Sequence, residues 1–137
     1  MSSLELRHDV VILACAISAG IHAALVPDHV AEGAGVALGF AVATVLLGAF
    51  AVALTLQPAR VLVLTGAAAF LAGLILSYAF AITTGLPVLH PDPEPVDGLA
   101  LATKAIEIAG LVAALDLVRR GRQAVAATVP QPKGTLT

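Results

Sequence analysis

Charge, cysteine and aromatic side chains are all scarce in this sequence. Only 12% of its 137 residues are charged, against about 25% in an average soluble domain. That shortage excludes a soluble globular enzyme and a nucleic-acid binder, because a small water-soluble domain leaves too much surface exposed to hide so apolar a chain. The single cysteine, Cys15, excludes an internal disulfide, a CxxC redox pair and a thiolate zinc site. Tryptophan is absent, and the aromatics are Phe40, Phe50, Phe70, Phe80 and Tyr78. No Trp/Tyr belt therefore marks a membrane boundary. The formal net charge of −2 points to no polyanionic partner, so nucleic acid is not expected.

Apolar sequence is what the chain has in excess. Hydrophobic residues make up 59% of it, and its mean hydropathy is +1.00. Four apolar runs span residues 10–26, 34–56, 61–86 and 99–118. A helix needs about 20 such residues to cross a bilayer. The expected fold is all-α: a polytopic membrane protein with four transmembrane helices in an antiparallel bundle. The domain covers residues 1–120, and residues 121–137, small and polar, are expected to form a disordered cytoplasmic tail. Pro27, Pro58 and Pro87 fall where spans should end, and Asp97 is placed to cap the fourth. The first run is read as an uncleaved span rather than a signal peptide.

With four spans, Arg7, Arg60, Arg119, Arg120, Arg122 and Lys133 share one side and only Lys104 lies elsewhere. The positive-inside rule then puts both termini in the cytoplasm of a plasma-membrane protein. The opposite side carries Asp28, His29, Glu32, His90, Asp92, Glu94 and Asp97. Each span also has small residues four apart, such as Ala16/Gly20/Ala24, Gly35/Gly39/Ala43, Ala69/Gly73/Ser77/Ala81 and Ala105/Ala109/Ala113. Such rows let helices approach closely in lipid. They predict a tight bundle with little room for a wide central cavity, in which leucine at Gly39 or Gly73 disrupts packing more than leucine at Val61.

Ionisable groups inside spans are costly and mark candidate sites. Here they are His22, Lys104 and Glu107, with Glu32 near the rim. A hairpin at Pro27-Asp28 places His22 and Glu32 at one depth, roughly 6–8 Å below the turn. Cys15, Ser18 and His22 share a face of the first helix, and Thr103, Glu107, Gly110 and Ala114 mark the small, polar face of the fourth. Imidazole and carboxylate suit a first-row divalent cation, so His22, His29, Glu32 and Glu107 are the candidate ligands and a divalent metal cation the candidate cofactor. The competing reading is structural: Lys104 pairs with Glu107, three residues on, and His22 bonds a backbone carbonyl. Asp116 is spaced to pair with Arg119 or Arg120, while Thr44 and Thr55 can bond their own helix carbonyls.

The stretch Gly20-Ile21-His22-Ala23-Ala24-Leu25-Val26-Pro27-Asp28-His29-Val30-Ala31-Glu32, with Gly85-Leu86-Pro87 and Glu107 further on, resembles small bacterial four-span membrane proteins. Those proteins carry a His-x5-(Asp/Glu)-His signature at the end of the first span. The likeness implies a role for His22, His29 and Glu107, and no reaction. No catalytic constellation is recognisable, so no enzyme is expected. Two readings follow: a non-catalytic accessory or structural subunit of a membrane assembly, or a protein that binds a divalent cation or small ligand at an outer-leaflet His/Glu site. The expected partners are the lipid bilayer and other membrane subunits or further copies of the chain.

Overall fold

The computed structural model describes residues 2–31, 33–58, 60–85 and 93–128. Nearly all of these belong to four helices: α1 (Ser3–Val30), α2 (Ala34–Leu56), α3 (Val61–Thr83) and α4 (Gly98–Thr128). Each is long and apolar enough to cross a membrane, and the described residues contain no strand. The chain is an all-α, multi-pass membrane protein that contacts lipid, as its four apolar runs predict.

Helix ends obey local chemistry rather than the limits of the apolar runs. α1 starts at Ser3, well ahead of residue 10, because Ser2 and Glu5 form a capping box. The Ser2 hydroxyl accepts from the Glu5 amide at 3.2 Å, and the Glu5 carboxylate accepts from the Ser2 amide at 2.6 Å. Two orphan amide donors are thereby satisfied. At its other end α1 runs through Pro27 instead of stopping there. Proline removes only the amide that would bond Ala23, and Ala23, Pro27 and Asp28 are all exposed. The stop falls at Gly33, whose φ of 153° and ψ of 145° suit a residue without a Cβ. Its amide donates to the His29 carbonyl, and its own carbonyl accepts from Ala37, both at 3.2 Å. One glycine therefore closes α1 and opens α2.

Pro58 lies in the turn after α2, as expected. α3 ends at Thr83, and Gly85 follows at φ 70°, the left-handed position that terminates many helices; Pro87 lies outside the described residues. Asp97 caps α4, its Oδ1 accepting from the Ala100 amide at 2.7 Å. α4 then continues to Thr128, so residues 121–128 are helical where a disordered tail was expected. Alanine, arginine and glutamine favour helix there, and Gly121 lies so close to α3 that a Cβ would come within 2.9 Å of Val61. Residues 129–137 lie outside the described residues.

α1 packs along α2 on one side and α4 on the other, and α4 packs along α3. α2 and α3 make far less contact. The bundle is thus a ring with one loose seam. At the end where α1 begins, Asp116 of α4 pairs with Arg7 of α1 and with Arg120, the latter at 2.7 Å. The neighbouring half is filled by Val11, Cys15, Leu47, Leu54, Leu71 and Ala114, with Phe50 and Phe70 6.1 Å apart between α2 and α3.

The rows of small residues do not hold this ring together. Ala16, Gly20, Ala24, Gly35, Ala69, Gly73, Ala105 and Ala109 are exposed on the bundle surface, while Ala43, Ala81 and Ala113 at the row ends are buried, and a Cβ at Gly39 or Gly73 would meet nothing within 4 Å. Close approach occurs elsewhere. A Cβ at Gly110 would lie 2.5 Å from the Ala14 Cβ, which fixes the α1–α4 crossing.

Candidate functional site

The half of the bundle nearest the α1–α2 turn and the α3–α4 connection is hollow. A cavity of about 400 Å³ opens there between all four helices, contrary to the expectation of a tightly closed core. Its origin is compositional. α2 offers Gly39 and Ala43 to it, and α3 offers Ser77 and Ala81. These side chains are too short to meet across the loose seam, so what they leave is space.

Polar groups gather at one wall, His22, Tyr78, Thr103 and Lys104 lining it and Ser18 and Glu107 buried behind it. Glu107 is fully buried, and its carboxylate accepts from the Ser18 hydroxyl at 2.6 Å and from Lys104 at 2.5 Å. The i, i+3 spacing on α4 supplies the Lys104 pair, while Ser18 reaches Glu107 across the α1–α4 contact. Lys104 also lies 5.5 Å from the centre of the Tyr78 ring, within cation–π range. One turn above Ser18, His22 Nδ1 donates to the Ser18 carbonyl at 2.8 Å. A carbonyl only accepts, so this bond puts the proton of the neutral ring on Nδ1 and leaves Nε2 an acceptor. His29 Nδ1 bonds the Leu25 carbonyl in the same way at 2.8 Å. Phe40 of α2 packs against both imidazoles, stacked on His29 at 4.0 Å and tilted toward His22 at 5.4 Å.

His22 and Glu107 therefore converge through Ser18, and Lys104 pairs with Glu107 as its spacing allows. Among the described residues no three His, Cys, Asp or Glu side chains are grouped to hold a metal ion. Glu107 already has two partners, and His29 is turned onto Phe40. The fourth candidate ligand, Glu32, lies outside the described residues. Sequence reasoning put Ser18 on the His22 face but missed its bond to Glu107. It also missed Phe40, which no polar spacing announces, and Arg7 as a partner of Asp116. Thr44 and Thr55 bond the Phe40 and Ala51 carbonyls of their own helix, as predicted.

Comparison with known proteins returns no match to a family model, a curated protein or a solved structure. The likeness to small four-span bacterial proteins rests on the quoted residues alone.

Proposed function

We propose that the chain is a non-catalytic membrane binding protein whose half-open cavity takes a small amphipathic molecule. The carrying observation is the cavity itself. It is large enough for a small organic ligand, walled mainly by apolar side chains, and provided with a few polar groups at one side, the usual composition of a ligand site. An accessory subunit would need no such space. Saturable uptake of 1-naphthol by the chain in lipid nanodiscs, above that of empty nanodiscs, is the expected result. Ala43→Phe, which extends a ring into the void, should abolish it while the protein stays folded. Equal uptake by wild type and Ala43→Phe would remove the cavity from the reading.

The cavity faces the outside in this proposal. Arg7, Arg60, Arg119, Arg120 and Arg122 all belong to the opposite end, and basic residues mark the cytoplasmic side. Both termini are then cytoplasmic, in the plasma membrane. In a Cys15→Ala background, a membrane-impermeant maleimide applied to intact cells should label Glu94→Cys and not Arg122→Cys. The reverse pattern would invert the orientation.

A further inference from the structure

We propose that the cavity selects a small organic ammonium ion, a primary amine carried on an aromatic or aliphatic body; this rests on the cavity being a ligand site. The polar atoms on the wall divide into those already bonded and those still uncommitted. Among the described residues most donors on the wall are taken, the Tyr78 hydroxyl and the spare N–H groups of Lys104 apart. Lys104 is held by Glu107 at 2.5 Å. The Ser77 hydroxyl donates to the Gly73 carbonyl at 2.7 Å, and the Thr103 hydroxyl to the Leu99 carbonyl at 2.8 Å. His22 Nδ1 is engaged by the Ser18 carbonyl.

The charged groups that remain accept. Glu94 and Asp97 both line the cavity, and among the described residues neither carboxylate pairs with a cation. Asp97 uses only Oδ1 in capping α4, so its second oxygen is left. In its neutral form the His22 ring offers Nε2. The Tyr78 hydroxyl is buried in the wall with no hydrogen-bond partner, and a buried hydroxyl left unmade is costly. A ligand N–H can donate to its oxygen, while the Tyr78 O–H itself stays free to donate to an acceptor.

The charge balance agrees. Among the described lining residues Lys104 is the one lysine or arginine, and Glu107 pairs with it, which leaves Glu94 and Asp97 as the unpaired charges at the mouth. The Tyr78 ring already lies under one ammonium, that of Lys104, and electron-rich ring faces attract cations generally. Leu25, Val36 and Leu74 supply the apolar surface for the body of the ligand.

Three probes of one shape separate charge from fit: benzylammonium, its neutral isostere ethylbenzene, and benzoate. Binding is measured by calorimetry on the full chain in nanodiscs of zwitterionic lipid, so that the lipid surface does not itself concentrate cations. Benzylammonium is expected to bind about tenfold tighter than ethylbenzene, a modest preference for two partly screened carboxylates, and benzoate weakest of the three. The double variant Glu94→Gln with Asp97→Asn should erase that preference and leave ethylbenzene binding unchanged. Asn caps a helix as well as Asp does, so α4 keeps its start. Saturable ethylbenzene binding without a cation preference, or a preference that survives the double variant, would overturn the ammonium assignment and leave the cavity reading intact. Benzoate binding tightest would do the same and point to Lys104 leaving Glu107. No saturable binding of any probe would overturn both.

Discussion

Gly110→Ala is expected to destabilise the bundle by about 2 kcal/mol, although alanine is the better helix former by about 1 kcal/mol. The added methyl would sit 2.5 Å from the Ala14 Cβ and 3.3 Å from a Leu71 methyl. Leu71 can turn aside. The Ala14 Cβ is fixed to its backbone, so α1 and α4 must move apart, and overpacking of this kind costs about 1–3 kcal/mol. Separation also pulls Ser18 from Glu107, since that bond crosses the same contact. Gly110→Leu should go further and abolish monodisperse protein. At Gly39 and Gly73 nothing lies within 4 Å of an added Cβ, so alanine there should be neutral or stabilising by up to about 1 kcal/mol. Unfolding of the three alanine variants in detergent, followed by circular dichroism, checks the sign at each position. A Gly110→Ala protein as stable as Gly73→Ala would show that the α1–α4 contact relaxes freely.

That contrast also shows what sequence periodicity reveals in a membrane protein. The four spans were legible because hydropathy and length are strong signals. Which face of each span turns inward was not legible from small residues. Lipid tails are as apolar as a protein core, so small residues carry no penalty on the outside, and rows such as Ala16/Gly20/Ala24 lie exposed. Polar residues were the better guide. The buried Ser18–His22 face of α1 and the Thr103–Glu107–Gly110–Ala114 face of α4 are the two that sequence spacing singled out by polarity. A lipid-facing Glu or His is too costly, so such residues report direction where alanine and glycine do not.

Helix ends divided along similar lines. Asp97 and Gly85 act through local backbone chemistry, and the Asp97 cap was foreseen from its place before an apolar run. The capping box at Ser2 and Glu5 is equally local, but a hydropathy boundary conceals it because it lies in polar sequence. Pro27 misled for a physical reason: proline breaks a helix interior, whereas one turn from the end it costs a single bond. The cavity was beyond sequence altogether. It arises from which small side chains fall opposite one another across the α2–α3 seam, a matter of helix rotation that no single span encodes.

Removing the charge of Lys104 alone should be the most damaging change on the polar wall, and removing both charges together should be nearly harmless. Glu107 has no exposure and depends on Lys104 and Ser18 for its only two hydrogen bonds among the described residues. Lys104→Met leaves that carboxylate in the bundle with one hydroxyl donor, and breaking a buried pair in this way costs about 3–5 kcal/mol. Glu107→Gln should cost less, about 1–2 kcal/mol. The amide still accepts from Ser18, and Lys104, 14% exposed and lining the cavity, can extend its ammonium into that space. Lys104→Met with Glu107→Gln carries no buried charge and changes volume little, so it should fall within about 1 kcal/mol of wild type, as neutral replacements of buried ion pairs do. Thermal unfolding of the wild type, both single variants and the double variant in nanodiscs gives the coupling energy, expected at 2 kcal/mol or more. Simple additivity, with the double variant losing the sum of the two single losses, would show that Lys104 and Glu107 do not depend on each other for stability.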